Sequence, residues 1–229
     1  MATLALFGAA RIRQTTDTMP PASNRLPDYW DIARRELAAR DAVMGQLIAR
    51  YPGGTLASHG DAFYTLARAI VGQQISVRAA DAVWARLEAQ MRIVTPDSAL
   101  SASADALRGC GLSWRKAEYL HDLALHFADG RLGDSFFNSA DDAELLARLT
   151  AVRGIGRWSA EMFLIFHLMR PDVLPVDDIG LLRAIGVHYR DGEKVSAREA
   201  RQIAAVWAPW RTVATWYLWR ALDPVPVAY

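Results

Sequence analysis

The chain has 229 residues, enough to bury a sizeable core as one domain or as two small lobes. With 26 basic and 25 acidic residues its net charge is only +1, so overall charge does not mark a nucleic-acid binder and any such role must rest on local features. Cys110 is the only cysteine, which excludes an intramolecular disulfide, a thiolate zinc site and a four-cysteine iron–sulfur cluster, and no run of about 18 apolar residues offers a membrane span.

From the N-terminus, the apolar stretch Ala2 to Ala10 is short and no basic residue precedes it, so a flexible tail over 1–25 is expected there in place of a cleaved leader. Asp61 to Gln74 reads as a helix with Phe63, Leu66, Ile70 and Val71 on one stripe. Ser76 caps the next, which turns Val83, Trp84, Leu87 and Met91 inward, and Thr95-Pro96 breaks the chain. Ser103 caps a short helix ending at Gly109-Cys110-Gly111, and Ser113 starts another bearing Leu120, Leu123, Leu125 and Phe127. Further helices are expected over Asp141 to Thr150, Arg157 to Met169, Asp178 to Ile185, Ser196 to Trp207 and Trp210 to Leu222. No alternating run appears, so the fold class is all-α.

The most informative stretch is Leu149-Thr150-Ala151-Val152-Arg153-Gly154-Ile155-Gly156-Arg157-Trp158-Ser159-Ala160, which joins two helices through a Gly-Ile-Gly turn. The glycines permit positive φ and let the backbone approach another molecule closely. The helix starting at Arg157 then presents first-turn N–H groups that it cannot satisfy itself, together with the positive end of its dipole. A phosphate diester suits such a site and would be bound without regard to base sequence. A Gly-X-Gly turn alone is more often a plain connection between packed helices; here the apolar frame of Leu149, Val152, Ile155, Ala160 and Phe163 also matches.

Together with four other segments in order, this turn resembles the helix-hairpin-helix (HhH-GPD) superfamily of DNA glycosylases, and within it the DNA-3-methyladenine glycosylase II branch. The other segments are Ile70-Val71-Gly72-Gln73-Gln74-Ile75-Ser76, Leu112-Ser113 with Arg115 to Leu120, Leu174-Pro175-Val176-Asp177-Asp178-Ile179-Gly180-Leu181-Leu182, and Trp207 with Pro209-Trp210-Arg211. The likeness runs from about Asp61 to Arg220. Arg153 departs from it, standing where the hairpin usually has proline, and Met162 stands where the best-known branch carries an aromatic.

The resemblance implies two helical lobes with an active-site cleft between them, a middle lobe over about 62–165 and a second from about 26–61 plus 166–229. The stretch before Asp61 is not expected to hold the additional β domain that some relatives carry. The implied partner is double-stranded DNA with damaged bases, bound by a monomer with no membrane attachment. It is touched by Gly154, Ile155, Gly156 and Arg157 on the hairpin and by Gln73, Gln74 and Ser76 on the strand-probing loop. Gln74 is the implied wedge, and Trp158, Trp219 and Met162 are the implied walls of the base pocket. No metal or cofactor is implied beyond room for a monovalent cation at the hairpin. The lone thiol fits a reducing compartment, the cytoplasm and nucleoid of a bacterium or the nucleus of a eukaryote.

Asp178 is the implied catalytic residue, and chemistry supports the choice. Cleaving an N-glycosidic bond passes through an oxocarbenium-like state, and a fixed carboxylate stabilises its developing positive charge more than it stabilises the ground state. An aspartate at a helix start is also an ordinary cap, a task the reading assigns to Asp177 so that Asp178 faces the cleft. The target base must be flipped out of the duplex and the hole behind it filled. An alkylated purine is electron-poor and often cationic, so it stacks well on indole faces; Trp207, Trp210 and Trp216 are read as packing. Only Lys116 and Lys194 are lysines, Lys116 on a surface helix and Lys194 in a polar loop, so strand cleavage through a Schiff base is not expected. Two alternatives stay open: a glycosylase for oxidised or deaminated bases, and a non-catalytic helix-hairpin-helix module.

Overall fold

The computed structural model describes residues 27–56 and 60–222; the tail expected over 1–25 lies outside them. Every regular element among the described residues is helical. In order they are α1 (Trp30–Arg40), α2 (Ala42–Arg50), α3 (Ala62–Gly72), α4 (Val77–Met91), α5 (Pro96–Ser101), α6 (Ala104–Gly109), α7 (Trp114–Ala128), α8 (Asp134–Ser139), α9 (Asp142–Thr150), α10 (Arg157–Phe166), α11 (Ile179–Tyr189), α12 (Ala197–Ile203) and α13 (Arg211–Leu222), with a 3-10 turn at Ala204–Trp207 between the last two.

Side-chain caps set most of the starts. Asp61, Ser76, Ser103, Ser113 and Asp141 each accept an N–H from the first turn of the helix that follows, satisfying one of the donors a helix start leaves over. Thr95-Pro96 does not merely interrupt the chain. Thr95 and Ser98 form a reciprocal capping box and Pro96 is the first helical residue, where its missing N–H costs nothing, so the pair starts α5. The helix expected to reach Met169 stops at Phe166, and Met169 itself has φ 51°. Leu125 is exposed, because α7 turns Ala117, Leu120, Leu123 and Ala124 inward.

The helices pack mainly in two sets. In one, α7 lies against α3, α5 and α6, while α3 also meets α4 and α10, and α9 pairs with α10. In the other, α13 packs on α1, α2 and α11, with α12 beside α11. Buried apolar residues of both sets form one cluster. No helix among the described residues is long and apolar enough to cross a membrane.

Candidate active site

The chain between α10 and α11 passes from one set of helices to the other, and the start of α13 grips it. Arg211 donates from Nε and Nη2 to the two carboxylate oxygens of Asp172, each at 2.6 Å. Buried Thr212 accepts the Val173 N–H at 2.9 Å and donates to the Arg170 carbonyl at 2.6 Å. Arg170 in turn donates to the carbonyls of Phe137 and Ala140. Val176 is buried, and the chain then enters α11 with Asp178 as its cap. Such planar, charge-assisted contacts hold a segment more tightly than neutral ones do.

Asp177 does not take the capping role. It is exposed, whereas Asp178 is half-buried and caps α11 itself. The Asp178 carboxylate accepts three hydrogen bonds. Oδ1 receives the Leu181 N–H at 2.6 Å and the Trp219 indole N–H at 2.9 Å, and Oδ2 receives the Trp158 indole N–H at 2.9 Å. A carboxylate offers about four acceptor positions, so one remains on Oδ2. Trp158 lies in the first turn of α10 and Trp219 in the last turn of α13, so three distant segments meet at this one side chain.

Phe166, absent from the expected site, stacks on Trp219 with ring centroids 5.7 Å apart and planes 13° from parallel. Phe166, Trp216, Trp219 and Arg220 line a small recess with room for about one water. Of the three expected walls of the base pocket only Trp219 lines this recess; Trp158 does not, and Met162 is buried in the core one turn after Trp158. Trp207 and Trp210 are structural: their indoles donate to Asp41 and Glu36, both at 2.9 Å. Among the described residues no group of three His, Cys, Asp or Glu side chains is arranged to hold a metal ion.

The hairpin lies between α9 and α10. Gly154 has φ 85°, in the region that favours glycine, and a Cβ there would clash with the Tyr119 ring, so this glycine is required by fold as well as by turn. Ile155 anchors the turn in the core. Gly156 has extended backbone and nothing within 4 Å of where a Cβ would be, and no side chain caps α10. Arg157 is 60% exposed and donates from Nε to Glu161 Oε1 at 2.9 Å. That carboxylate is 2% exposed, and burial raises its pKa against the opposing pull of Arg157.

On the loop after α3, Ser76 caps α4 and Gln74 is exposed with φ 57°, uncommon for a residue with a side chain. Gln73 does not project freely beside it; its amide Nε2 donates to the Gly154 carbonyl at 2.8 Å, which ties the loop to the hairpin. The structure therefore brings Trp158, Trp219 and Asp178 together in one group and the loop and hairpin in another.

These segments match known proteins. Residues 67–209 match the model of the HhH-GPD superfamily of base excision DNA repair proteins. DNA-3-methyladenine glycosylase 1 of Schizosaccharomyces pombe is 30% identical over 179 residues, covering 76% of this chain and 78% of that protein. The crystal structure of a DNA-3-methyladenine glycosidase from Bacillus halodurans is similar with TM-score 0.79 at 34% identity, covering 86% of this chain and 92% of that one. The S. pombe 3-methyladenine DNA glycosylase in complex with abasic DNA is similar with TM-score 0.68 at 27% identity, covering 86% and 99%. The chain belongs to the HhH-GPD superfamily of base-excision DNA repair proteins.

Proposed function

We propose that this protein is a DNA glycosylase that removes alkylated bases, 3-methyladenine and related alkylpurines, from double-stranded DNA by hydrolysing the N-glycosidic bond, and that it does so without cutting the strand. The observation that carries the reading is the pair of indole N–H groups on the Asp178 carboxylate. They fix a negative charge at the N–H edges of two indoles, and a held carboxylate among aromatic rings is what a cationic or electron-poor base on an oxocarbenium-like sugar calls for.

The roles follow from that geometry. Backbone N–H groups at the start of α10, with Arg157 beside them, bind a phosphate and set the duplex in register. The damaged nucleotide swings out, its base meets Trp158 and Trp219, and Gln74 fills the gap it leaves. Asp178 then stabilises the positive charge developing on the sugar, and its remaining Oδ2 acceptor position orients the attacking water. Because a cationic base is already a good leaving group, the site needs no strong acid to protonate it.

The relatives' names support alkylated purines as the substrate class, and the S. pombe complex supports DNA as the partner. A monomer in the compartment that holds the chromosome suffices for this work. The test is to incubate the purified protein with duplexes each carrying one defined lesion, then cleave abasic sites with alkali. Strand breaks at methylated purines are expected; breaks only at oxidised or deaminated bases would replace this substrate assignment, and none at any lesion would overturn the activity.

A further inference from the structure

Lys116 reads in the sequence as part of a surface helix, but it is half-buried, and its ammonium is spent on the backbone. Nζ donates to the Val71 carbonyl at 2.8 Å and to the Gln73 carbonyl at 2.7 Å. The Val71 oxygen is among those that the end of α3 leaves without an N–H partner of its own, and a cation there also meets the negative end of the helix dipole. Directly after Gln73 stands Gln74, whose positive φ persists only where its surroundings impose it.

The same helix reaches the hairpin. Three residues after Lys116, Tyr119 fills the space over Gly154, and three after that Asp122 accepts the Arg153 N–H at 2.8 Å. Lys116, Tyr119 and Asp122 follow one another at a spacing of three, near neighbours along α7. Gln73 closes the circuit by donating to the Gly154 carbonyl.

We propose that Lys116 is a positioning residue that holds the Gln73-Gln74 loop in the shape that fills the gap beside a flipped nucleotide, with α7 setting the distance from that loop to the phosphate-binding hairpin. This rests on the glycosylase reading above. An ammonium suits the task because it offers three donors and no acceptor, so it satisfies both carbonyls at once. A methionine of similar length leaves both without that donor, and the loop relaxes.

The experiment compares binding to a duplex with one tetrahydrofuran abasic-site analogue and to the same duplex undamaged. Lys116→Met should lower the preference for the abasic analogue about tenfold, the size of one lost charged hydrogen bond, while affinity for undamaged duplex stays within about twofold. Lys116→Arg should recover most of the preference. In a Gln74→Ala background Lys116→Met should add no further loss, because both changes act through the same loop. Where Lys116→Met does not fold, Lys116→Gln, which is shorter, uncharged and brings an acceptor oxygen beside the two carbonyls, serves with the same criteria. Undiminished preference in the folded variant, or losses that simply add with Gln74→Ala, would overturn the proposal. An unaltered protein that neither prefers the abasic analogue nor excises any lesion would instead overturn the functional reading itself.

Discussion

Trp158 and Asp178, twenty residues apart, are joined by an indole N–H that points at Oδ2 from 2.9 Å. The contact ties the hairpin helix to the Asp178 carboxylate. Under the proposed function, a phosphate bound at the start of α10 would thereby sit at a set distance from the charge assigned to act on the sugar.

Asp178→Asn should reduce excision by on the order of 10²–10³-fold, while affinity for a lesion duplex stays within a few-fold. The amide keeps the size of the carboxylate but loses its charge. It also turns an NH2 group toward a donor, either the Trp158 indole on one side or Leu181 and Trp219 on the other, so at least one indole contact breaks. Single-turnover kinetics should show the loss, and tryptophan fluorescence should shift as an indole loses its partner. Full activity in the folded variant would overturn the assignment and move attention to Asp177.

Trp219→Phe keeps an aromatic face against Phe166 but removes one of the two donors on Oδ1. Excision should slow by about tenfold and stability should fall by about 1.5–3 kcal/mol, the usual range for a lost hydrogen bond to a charged group. Chemical denaturation and single-turnover rates read the two effects separately. An unchanged rate would mean that Trp219 serves the site only as packing.

The two hairpin glycines should behave differently. Gly154→Ala forces a Cβ into the Tyr119 ring at φ 85°, so it should destabilise the protein by about 1–3 kcal/mol or more and spoil the turn. Gly156→Ala meets open space at φ −87° and should fold normally. It should nevertheless weaken binding to damaged and undamaged duplexes alike, because its methyl stands where a phosphate approaches and phosphate contacts carry no sequence information. Loss of discrimination with non-specific binding intact would show that the hairpin is not the phosphate clamp.

The helices that carry motifs were legible because periodicity and caps coincide in them, as at Ser76, Ser103 and Ser113. Asp178, Trp158 and Trp219 were legible through the order of the segments around them. Other features were set by contacts between residues far apart in the chain. Phe166 sits in a run of α10 where every residue from Ala160 is buried, so nothing in its spacing marks it as a neighbour of Trp219. Lys116 was placed on a surface because lysine usually belongs there, and only the approach of the Val71 and Gln73 carbonyls reveals its task. Asp177 and Asp178 are adjacent and chemically identical, and the three donors on Asp178 decide between them.

Borohydride should trap no covalent species between this protein and lesion DNA. Strand cleavage by a glycosylase proceeds through a Schiff base between an amine and the sugar, and the first turn after the hairpin offers no amine, the residue two places after the second glycine being Trp158. Its indole N–H is committed to Asp178 and cannot act as a nucleophile. Burial lowers the pKa of Lys116, which by itself favours a reactive amine, but its Nζ is held by two backbone carbonyls under the loop. Lys194 is exposed in the turn before α12. The protein should therefore leave an intact abasic strand that breaks only on treatment with alkali. A strong trapped band mapping to either lysine would overturn the assignment of hydrolysis without strand cleavage.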